Sequence, residues 1–190
     1  MALAHPPAPA TDGPMPEDIP VVERARAGDA AAWAELYRAH AGRLVVWLGM
    51  LVSSDVAASA EDLAADTWLT AAEKVHEFRG DDDAFAGWLF GIARQHARNA
   101  RRRTQRRGTT PSAAIEDTAI LPAFDEVTTR SWIEQLLSLL PAREREVVAC
   151  IDVVGLDVPS TATALGISSV AVRVAHHRGL ARLRRSVVEG

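Results

Sequence analysis

The 190-residue sequence contains a single cysteine and no apolar run long enough to cross a bilayer. One cysteine excludes a disulfide within the chain, which is typical of proteins in the reducing cytosol. This residue, Cys150, lies among apolar neighbours, so we interpret it as a small buried side chain rather than a redox sensor. The longest apolar run covers only residues 44–52. These features predict a cytoplasmic protein without membrane insertion.

Signals of export and of catalysis are also missing. Residues 1–17 are rich in Ala and Pro and lack the basic start and apolar centre of a signal peptide, so we predict a disordered tail. The six histidines show no metal-ligand spacing, and the sequence has neither a Gly-rich phosphate loop nor a nucleophile motif. The sequence therefore predicts no enzyme, no metal site and no cofactor.

What remains is helical periodicity, without the period-two alternation that is typical of strands. The hydrophobic fraction of 48% is enough to form cores, while the net charge of −4 does not by itself indicate a nucleic-acid binder. We predict an all-α fold of two small helical domains, residues 18–107 and 126–190. The stretch between them, residues 108–125, predicts a flexible linker because it begins with Gly, Thr, Pro and Ser and loses the helical pattern.

Apolar stripes and capping residues define the helices of the first domain. Asp29, Ser59 and Asp83 are predicted to cap three successive helices. The inward stripe of the first helix consists of Trp33, Leu36, Tyr37, His40, Leu44, Trp47, Leu48 and Leu51. The inner face of the second consists of Leu63, Thr67, Ala71 and Val75.

The arginine-rich end of the third helix is the first candidate nucleic-acid surface. Cations favour a helix C-terminus, so a solvated basic end is the simpler interpretation. The basic surface nevertheless extends back along the helix through Arg94, Arg98, Arg101 and Arg102. Phe78 and Arg79 precede this helix, and an aromatic ring beside cations can stack an unpaired base. We therefore favour contact with nucleic acid.

The second domain contains the pattern of a helix-turn-helix. Ala162 is small where two helices would cross, Gly166 tolerates positive φ in the turn, and Val172 anchors a second helix that Ser168 can cap. That helix presents outward the residues Arg173, His177 and Arg178, which suit a DNA major groove. A structural three-helix turn with a basic tail is the alternative. The helix before this motif has the predicted stripe Trp132, Ile133, Leu136, Leu137 and Leu140.

Several longer motifs occur in a fixed order. The first domain carries AWAELY at 32–37, AEDLAADTW at 60–68, FRG at 78–80 and AGWLFGIAR at 86–94. The second carries LPAREREVV at 140–148, followed by the helix-turn-helix. Together these motifs resemble the extracytoplasmic-function (ECF) sigma factors, promoter-recognition subunits of bacterial RNA polymerase. The resemblance covers about residues 18–107 and 126–188.

The resemblance implies that the chain binds core RNA polymerase and directs promoter recognition and DNA melting. Asp62 and Asp66 would contact the clamp helices of the β′ subunit, since their spacing places both carboxylates on one helix face. The loop 78–83 and Gln95 would read the minus-ten element by capturing a flipped base. The second domain would read the minus-thirty-five element, and its last helix would touch the β flap. An anti-sigma factor is a further candidate partner.

The sequence departs from the family at a few positions. Gln95 stands where Asn is common, and Thr161 and His176 stand where aliphatic residues are usual. Val174 and Ala175 replace a usual Ser and a usual basic residue. These differences bear on the reading of the promoter sequence more than on the fold.

Two other functions account for parts of the sequence. A stand-alone helix-turn-helix regulator would explain the second domain but not the acidic and aromatic-basic features of the first. A magnesium-dependent all-helical nucleotide hydrolase would use Glu61, Asp62 and Asp66, with the acidic loop 81–83 opposite them. The sigma factor interpretation accounts for both domains.

Overall fold

A computed structural model describes residues 19–51, 58–107 and 132–188, and the regular structure of these residues is entirely helical. The helices are α1 (Val21–Arg26), α2 (Ala30–Leu51), α3 (Ala60–Lys74), α4 (Asp82–Arg107), α5 (132–138), α6 (Ala142–Val148), α7 (Val158–Leu165) and α8 (Ser169–Val188). A 3₁₀ turn, Val75–Glu77, follows α3, and a π-helical segment, Ala149–Val153, follows α6. The all-α prediction is confirmed. The predicted tail 1–17 and linker 108–125 lie outside the described residues.

Two of the predicted helix caps are present in the first domain. The Ser59 hydroxyl accepts a hydrogen bond from the Asp62 N–H at 3.0 Å, and the Asp62 carboxylate accepts one from the Ser59 N–H at 3.1 Å. This reciprocal capping box satisfies two backbone donors that the helix itself leaves free. The Asp29 carboxylate likewise accepts from the Ala31 N–H at 2.8 Å at the start of α2.

The predicted cap at Asp83 is wrong. Helix α4 begins at Asp82, two residues before the predicted start, and its cap is Asp81, whose carboxylate accepts from the Ala84 N–H at 3.0 Å. The intervening Asp82 accepts from the first two N–H groups of α1 at 2.9 and 2.8 Å. The Asp82 carboxylate therefore caps a different helix from the one that it begins.

The cores follow the predicted stripes with two exceptions. The four predicted inner residues of the second helix are all buried, three of them on α3 and Val75 in the 3₁₀ turn that follows. Leu137 of α5 and Leu140 just after it are also buried. Tyr37 of the α2 stripe is instead 55% exposed and packs against Trp68, with the ring centroids 5.1 Å apart. Trp132 is 59% exposed.

The two domains pack against each other, chiefly through α4 and α7. A Cβ atom added at Gly87 of α4 would lie 2.9 Å from the Cα and the carbonyl oxygen of Ser160, so the absence of a side chain permits this close approach. On α2, the Arg43 guanidinium donates to the carbonyls of Val154 and Gly155 at 2.7 and 2.9 Å. The described parts of the two domains therefore form one packed body, which the sequence did not indicate.

Candidate nucleic-acid interface

The helix-turn-helix pattern folds as predicted. Asp157 caps α7 by accepting from the Ser160 N–H at 2.7 Å, and α7 ends at Gly166, which has a φ of 63°. The Ser168 hydroxyl then accepts from the Ala171 N–H at 3.2 Å and caps α8. Helices α7 and α8 meet at an angle of 101°, within the range of about 90–120° typical of this motif.

The second helix of the motif, α8, has a buried side that anchors it in the domain and an exposed side that points outward. Val172 of α8 is fully buried, and Ala162 and Leu165 of α7 are 9% and 4% exposed. The three predicted DNA-binding residues are all exposed on the outward side: Arg173, His177 and Arg178. Within the described ranges neither arginine forms an ion pair with an acidic side chain. Their charges are therefore available to a polyanionic partner.

The unusual residues of the motif have distinct surroundings. His176 Nε2 lies 2.7 Å from Asp152 Oδ2, which links α8 to the π-helical segment and gives this polar residue a partner inside its own domain. Ala175 is buried and contributes to the core instead of the surface. Thr161 is fully buried, and its hydroxyl has no hydrogen-bond partner among the described residues. Val174 remains exposed on the outward side.

The basic end of α4 is exposed along the helix. Gln95, Arg98, Arg101 and Arg102 are all solvent-accessible. Helical spacing places Gln95, Arg98 and Arg102 on one face, with Arg101 to one side of it. The Gln95 amide donates to Asn99 Oδ1 at 3.3 Å, on the same helix. This end of α4 can therefore track a phosphate backbone with Gln95 beside it.

Phe78 does not present its ring to solvent. It is 9% exposed and packs between Trp88, at a centroid distance of 4.8 Å, and Phe85, at 6.1 Å. The Arg26 guanidinium covers it at 5.6 Å from the ring centroid. The adjacent Arg79 is exposed and donates to a carbonyl of the 3₁₀ turn at 2.7 Å. In this arrangement a base cannot stack on Phe78 unless the loop moves.

Arg94 faces the second domain. Its guanidinium donates to Glu146 Oε2 at 2.7 Å and to the Leu165 carbonyl at 3.0 Å, so it joins α4 to α6 and to the end of α7. Sequence reasoning grouped Arg94 with the exposed arginines of α4 and missed its partner Glu146. Arg94 and Arg98 are one helical turn apart and within about 40° of each other, so their spacing alone does not distinguish them.

The acidic pair lies on the exposed face of α3. Asp62 and Asp66 are both solvent-accessible and are separated by one helical turn. Asp62 also belongs to the capping box with Ser59, whereas Asp66 has no ion-pair partner in the part of the chain that the structure describes. The carboxylate of Asp66 is therefore free to bind a cationic surface.

The described helices provide neither a metal site nor a single membrane span. No three His, Cys, Asp or Glu side chains within residues 19–51, 58–107 and 132–188 form a group that could hold a metal ion. The acidic loop that the hydrolase alternative requires instead caps α4 and α1. No single described helix is long and apolar enough to cross a membrane. Taken together, α7 and α8 have the length and composition of a membrane span, but the two helices meet at an angle of 101°.

Two ionisable side chains in the interior have shifted pKa values. Burial, together with the neighbouring Arg43 guanidinium, lowers the pKa of His40 to about 4, so the imidazole beside Phe85 is neutral. Burial raises the pKa of the Cys150 thiol to about 12, against a smaller opposing effect of the Trp47 indole. Cys150 is fully buried, as predicted, and stays an uncharged thiol at neutral pH.

The two domains match two known families in the order found along the chain. Residues 36–107 match Sigma-70 region 2, and residues 130–183 match Sigma-70, region 4. The ECF RNA polymerase sigma factor SigD of Mycobacterium tuberculosis is 32% identical over 135 residues, which are 68% of this chain and 64% of SigD. SigM of the same organism is 31% identical over 162 residues, or 84% of this chain and 79% of SigM. The chain thus spans slightly less than two thirds of the length of SigD and about four fifths of the length of SigM.

A solved structure shares the arrangement of the helices. It is the sigma factor RpoE in complex with the anti-sigma factor NepR from Bartonella quintana, with a TM-score of 0.62 and 25% sequence identity. The similarity covers 80% of this chain and 93% of RpoE, and therefore includes both domains.

Proposed function

The chain belongs to the ECF group of RNA polymerase sigma factors, and we propose that it binds core RNA polymerase and directs the enzyme to promoter DNA in the cytoplasm. One observation carries this proposal. One chain carries, on separate domains, an exposed acidic pair and a helix-turn-helix whose outward arginines form no ion pair with any described residue. The two features follow the order of the two family regions. A stand-alone regulator would use the helix-turn-helix and leave Asp62 and Asp66 without a partner.

The acidic face of α3 is the proposed contact with the β′ clamp. We expect Asp66→Lys to abolish copurification with core polymerase without a change in stability, because the Asp66 carboxylate has no ion pair in the described chain. Asp62→Lys should also lose polymerase and cost about 1 kcal/mol of stability, since it breaks the capping box. Glu23→Lys, on α1, reverses an exposed charge elsewhere and is the control. Polymerase binding retained by Asp66→Lys would contradict the assignment.

The basic end of α4 is the proposed minus-ten surface. Arg98, Arg101 and Arg102 would hold the backbone of the melted strand, and Gln95 would contact a flipped base. Within the adjacent loop 78–83, Arg79 is exposed and would contact the same strand. The buried Phe78 would shape the base pocket and stack only after the loop moves. Permanganate footprinting of the open complex tests this, because Arg98→Ala should weaken melting and Gln95→Ala should change the preferred base.

The outward face of α8 is the proposed minus-thirty-five surface, and its far end is the proposed contact with the β flap. Arg173→Ala or Arg178→Ala should each cost about 1–3 kcal/mol of promoter binding if the side chain reaches a base. Arg143→Ala removes an exposed arginine of α6 and is the control. In vitro transcription with core polymerase measures the loss. Full transcription by both variants would remove the assignment to the major groove.

The polymerase is expected to be required for tight DNA binding. The net charge of −4 opposes the approach of the basic patches to DNA, so the free chain should bind a promoter duplex poorly and the polymerase complex well. Tight binding of duplex by the isolated chain at physiological salt would contradict this. Arg94 would reach DNA only after the domains separate, because Glu146 and the Leu165 carbonyl hold it in the packed body. An anti-sigma factor, as in the RpoE complex, is a further proposed partner, and it would hold the two domains in the packed arrangement.

A further inference from the structure

Two valines lie on the exposed side of α8, where the packing of the protein does not require them. Val170 is 66% exposed and Val174 is 44% exposed. The core of the domain is instead formed from the other side of the helix, where Val172 and Ala175 are buried. A single exposed valine on a helix is ordinary, but these two are four residues apart and therefore adjacent on one face.

The valines lie between the two arginines of the outward face. At about 100° of rotation per residue, Val170, His177 and Val174 fall within about 60° of one another and point directly away from the buried side. Arg173 lies about 60° to one side of Val170, and Arg178 lies about 40° beyond Val174 on the other. The face therefore carries two valines, with His177 one turn beyond them, between two flanking arginines, and this differs from a uniformly basic surface.

This arrangement fits the floor of a DNA major groove. The flanking guanidiniums can bind the phosphates or guanine edges at the sides, and the centre then faces the edges of the base pairs. The C5-methyl group of thymine is the apolar group that those edges present. We propose that Val170 and Val174 read thymine methyl groups in the upstream promoter element. This inference rests on the proposed function and specifies what its second domain recognises.

The spacing of the valines limits where the thymines lie. Four residues of helix advance about 6 Å along the axis, and successive base pairs are about 3.4 Å apart. Two thymines contacted by the two valines should therefore be within about two or three base pairs of each other. Removing one buried methyl group should weaken binding about three- to fourfold.

The test uses the full chain with core polymerase and a promoter library with a randomised upstream window. Fragments that the complex selects are then remade with deoxyuridine in place of each thymine in turn, which removes only the methyl group. We expect one or two positions at which deoxyuridine weakens binding about three- to fourfold. Equal binding of thymine and deoxyuridine at every position would overturn the inference.

Variants at the exposed valines test whether these two side chains cause the preference for the thymine methyl group. Val174→Ser should remove the thymine preference at one position, Val170→Ser at the other, and Val174→Ile should keep it. Both sites are exposed, so neither serine disturbs the core. Leu139→Ser, at a 57% exposed leucine outside α8, should leave the preference intact and is the matched control. A thymine preference that survives in both serine variants would overturn the inference.

Failure of the inference is distinguishable from failure of the proposed function. If the complex selects an upstream sequence but ignores the methyl groups, the promoter assignment stands and only the role of the valines is lost. If the serine variants instead lose polymerase while the thymine preference of the remaining complex is unchanged, the two valines contact protein. If no upstream sequence is selected at all, both the inference and the promoter assignment of the second domain are wrong.

Discussion

Arg94 and Glu146, which are 52 positions apart in the sequence, form a hydrogen-bonded ion pair of 2.7 Å between the two domains. Both side chains are about three quarters buried. The same guanidinium donates to the Leu165 carbonyl at the end of α7, so one residue of the first domain contacts two helices of the second. The pair therefore contributes to the packed body and withdraws Arg94 from the basic end of α4.

A double-mutant cycle on this pair should show a measurable coupling. Arg94→Gln, Glu146→Gln and the double variant should give a coupling free energy of about 1 kcal/mol in urea unfolding, because solvent still screens part of the interaction. Each change should destabilise the protein more in the wild-type background than in the background that already lacks the partner. The reason is that the first change leaves one charge half-buried without its partner. Strictly additive effects would show that the contact has no energetic role.

Gly87 should control whether the two domains pack. Gly87→Ala puts a methyl group 2.9 Å from the backbone of Ser160, which cannot move aside as a side chain would. Gly91→Ala, one turn along the same face, meets Ala164 Cα at 3.8 Å, an ordinary contact. Both changes favour the helix by up to about 1 kcal/mol. We expect only Gly87→Ala to raise the radius of gyration in small-angle scattering.

The reactivity of the single thiol is an independent measure of whether the two domains stay packed in the Gly87 variant. Cys150 is fully buried beside Trp47 of the first domain, and burial raises its pKa to about 12, so it should react slowly with Ellman's reagent. Gly87→Ala should accelerate the reaction, whereas Gly91→Ala should leave it slow. Equal rates and equal dimensions for the two variants would contradict the proposed role of Gly87.

The half-buried imidazole of His40 should make stability depend on pH. Its pKa is about 4 in the folded protein and about 6.5 in an unfolded chain, so between these values the unfolded state binds the additional proton. The resulting contribution to stability is complete above pH 6.5 and decreases as the pH falls towards 4. His40→Gln should flatten the dependence of the free energy of unfolding in this window, and the exposed His76→Gln should not. An unchanged slope in His40→Gln would refute the assignment.

Thr161 should be replaceable with a gain in stability. Its hydroxyl is fully buried and has no partner among the described residues, and valine has nearly the same shape. Thr161→Val should therefore raise the free energy of unfolding by about 1 kcal/mol, measured by urea denaturation. Thr163→Val is the control, because the exposed Thr163 hydroxyl donates to the Pro159 carbonyl at 3.1 Å and loses that bond. A loss of stability in Thr161→Val would indicate a partner for the hydroxyl.

The sequence predicted what is determined locally and failed where distant segments meet. The capping box at Ser59 and the turn at Gly166 depend on residues within a few positions, so their types were sufficient. The capping of α1 by Asp82 could not be predicted, because the two segments are distant in the sequence. The role of Gly87 could not be predicted, since a glycine inside a helix does not indicate which backbone approaches it. For the same reason the sequence showed Arg94 only as a member of a basic helix.

Helix α7 packs against α8 on one side and against α4 on the other. Mutations in this short segment must therefore satisfy two neighbours that come from opposite halves of the gene. A chimera that joins this first domain to the second domain of a relative would place a foreign α7 against Gly87, and would inherit a mismatch even if each half folds well. The two halves are thus expected to evolve together, although a long connecting stretch separates them in the sequence.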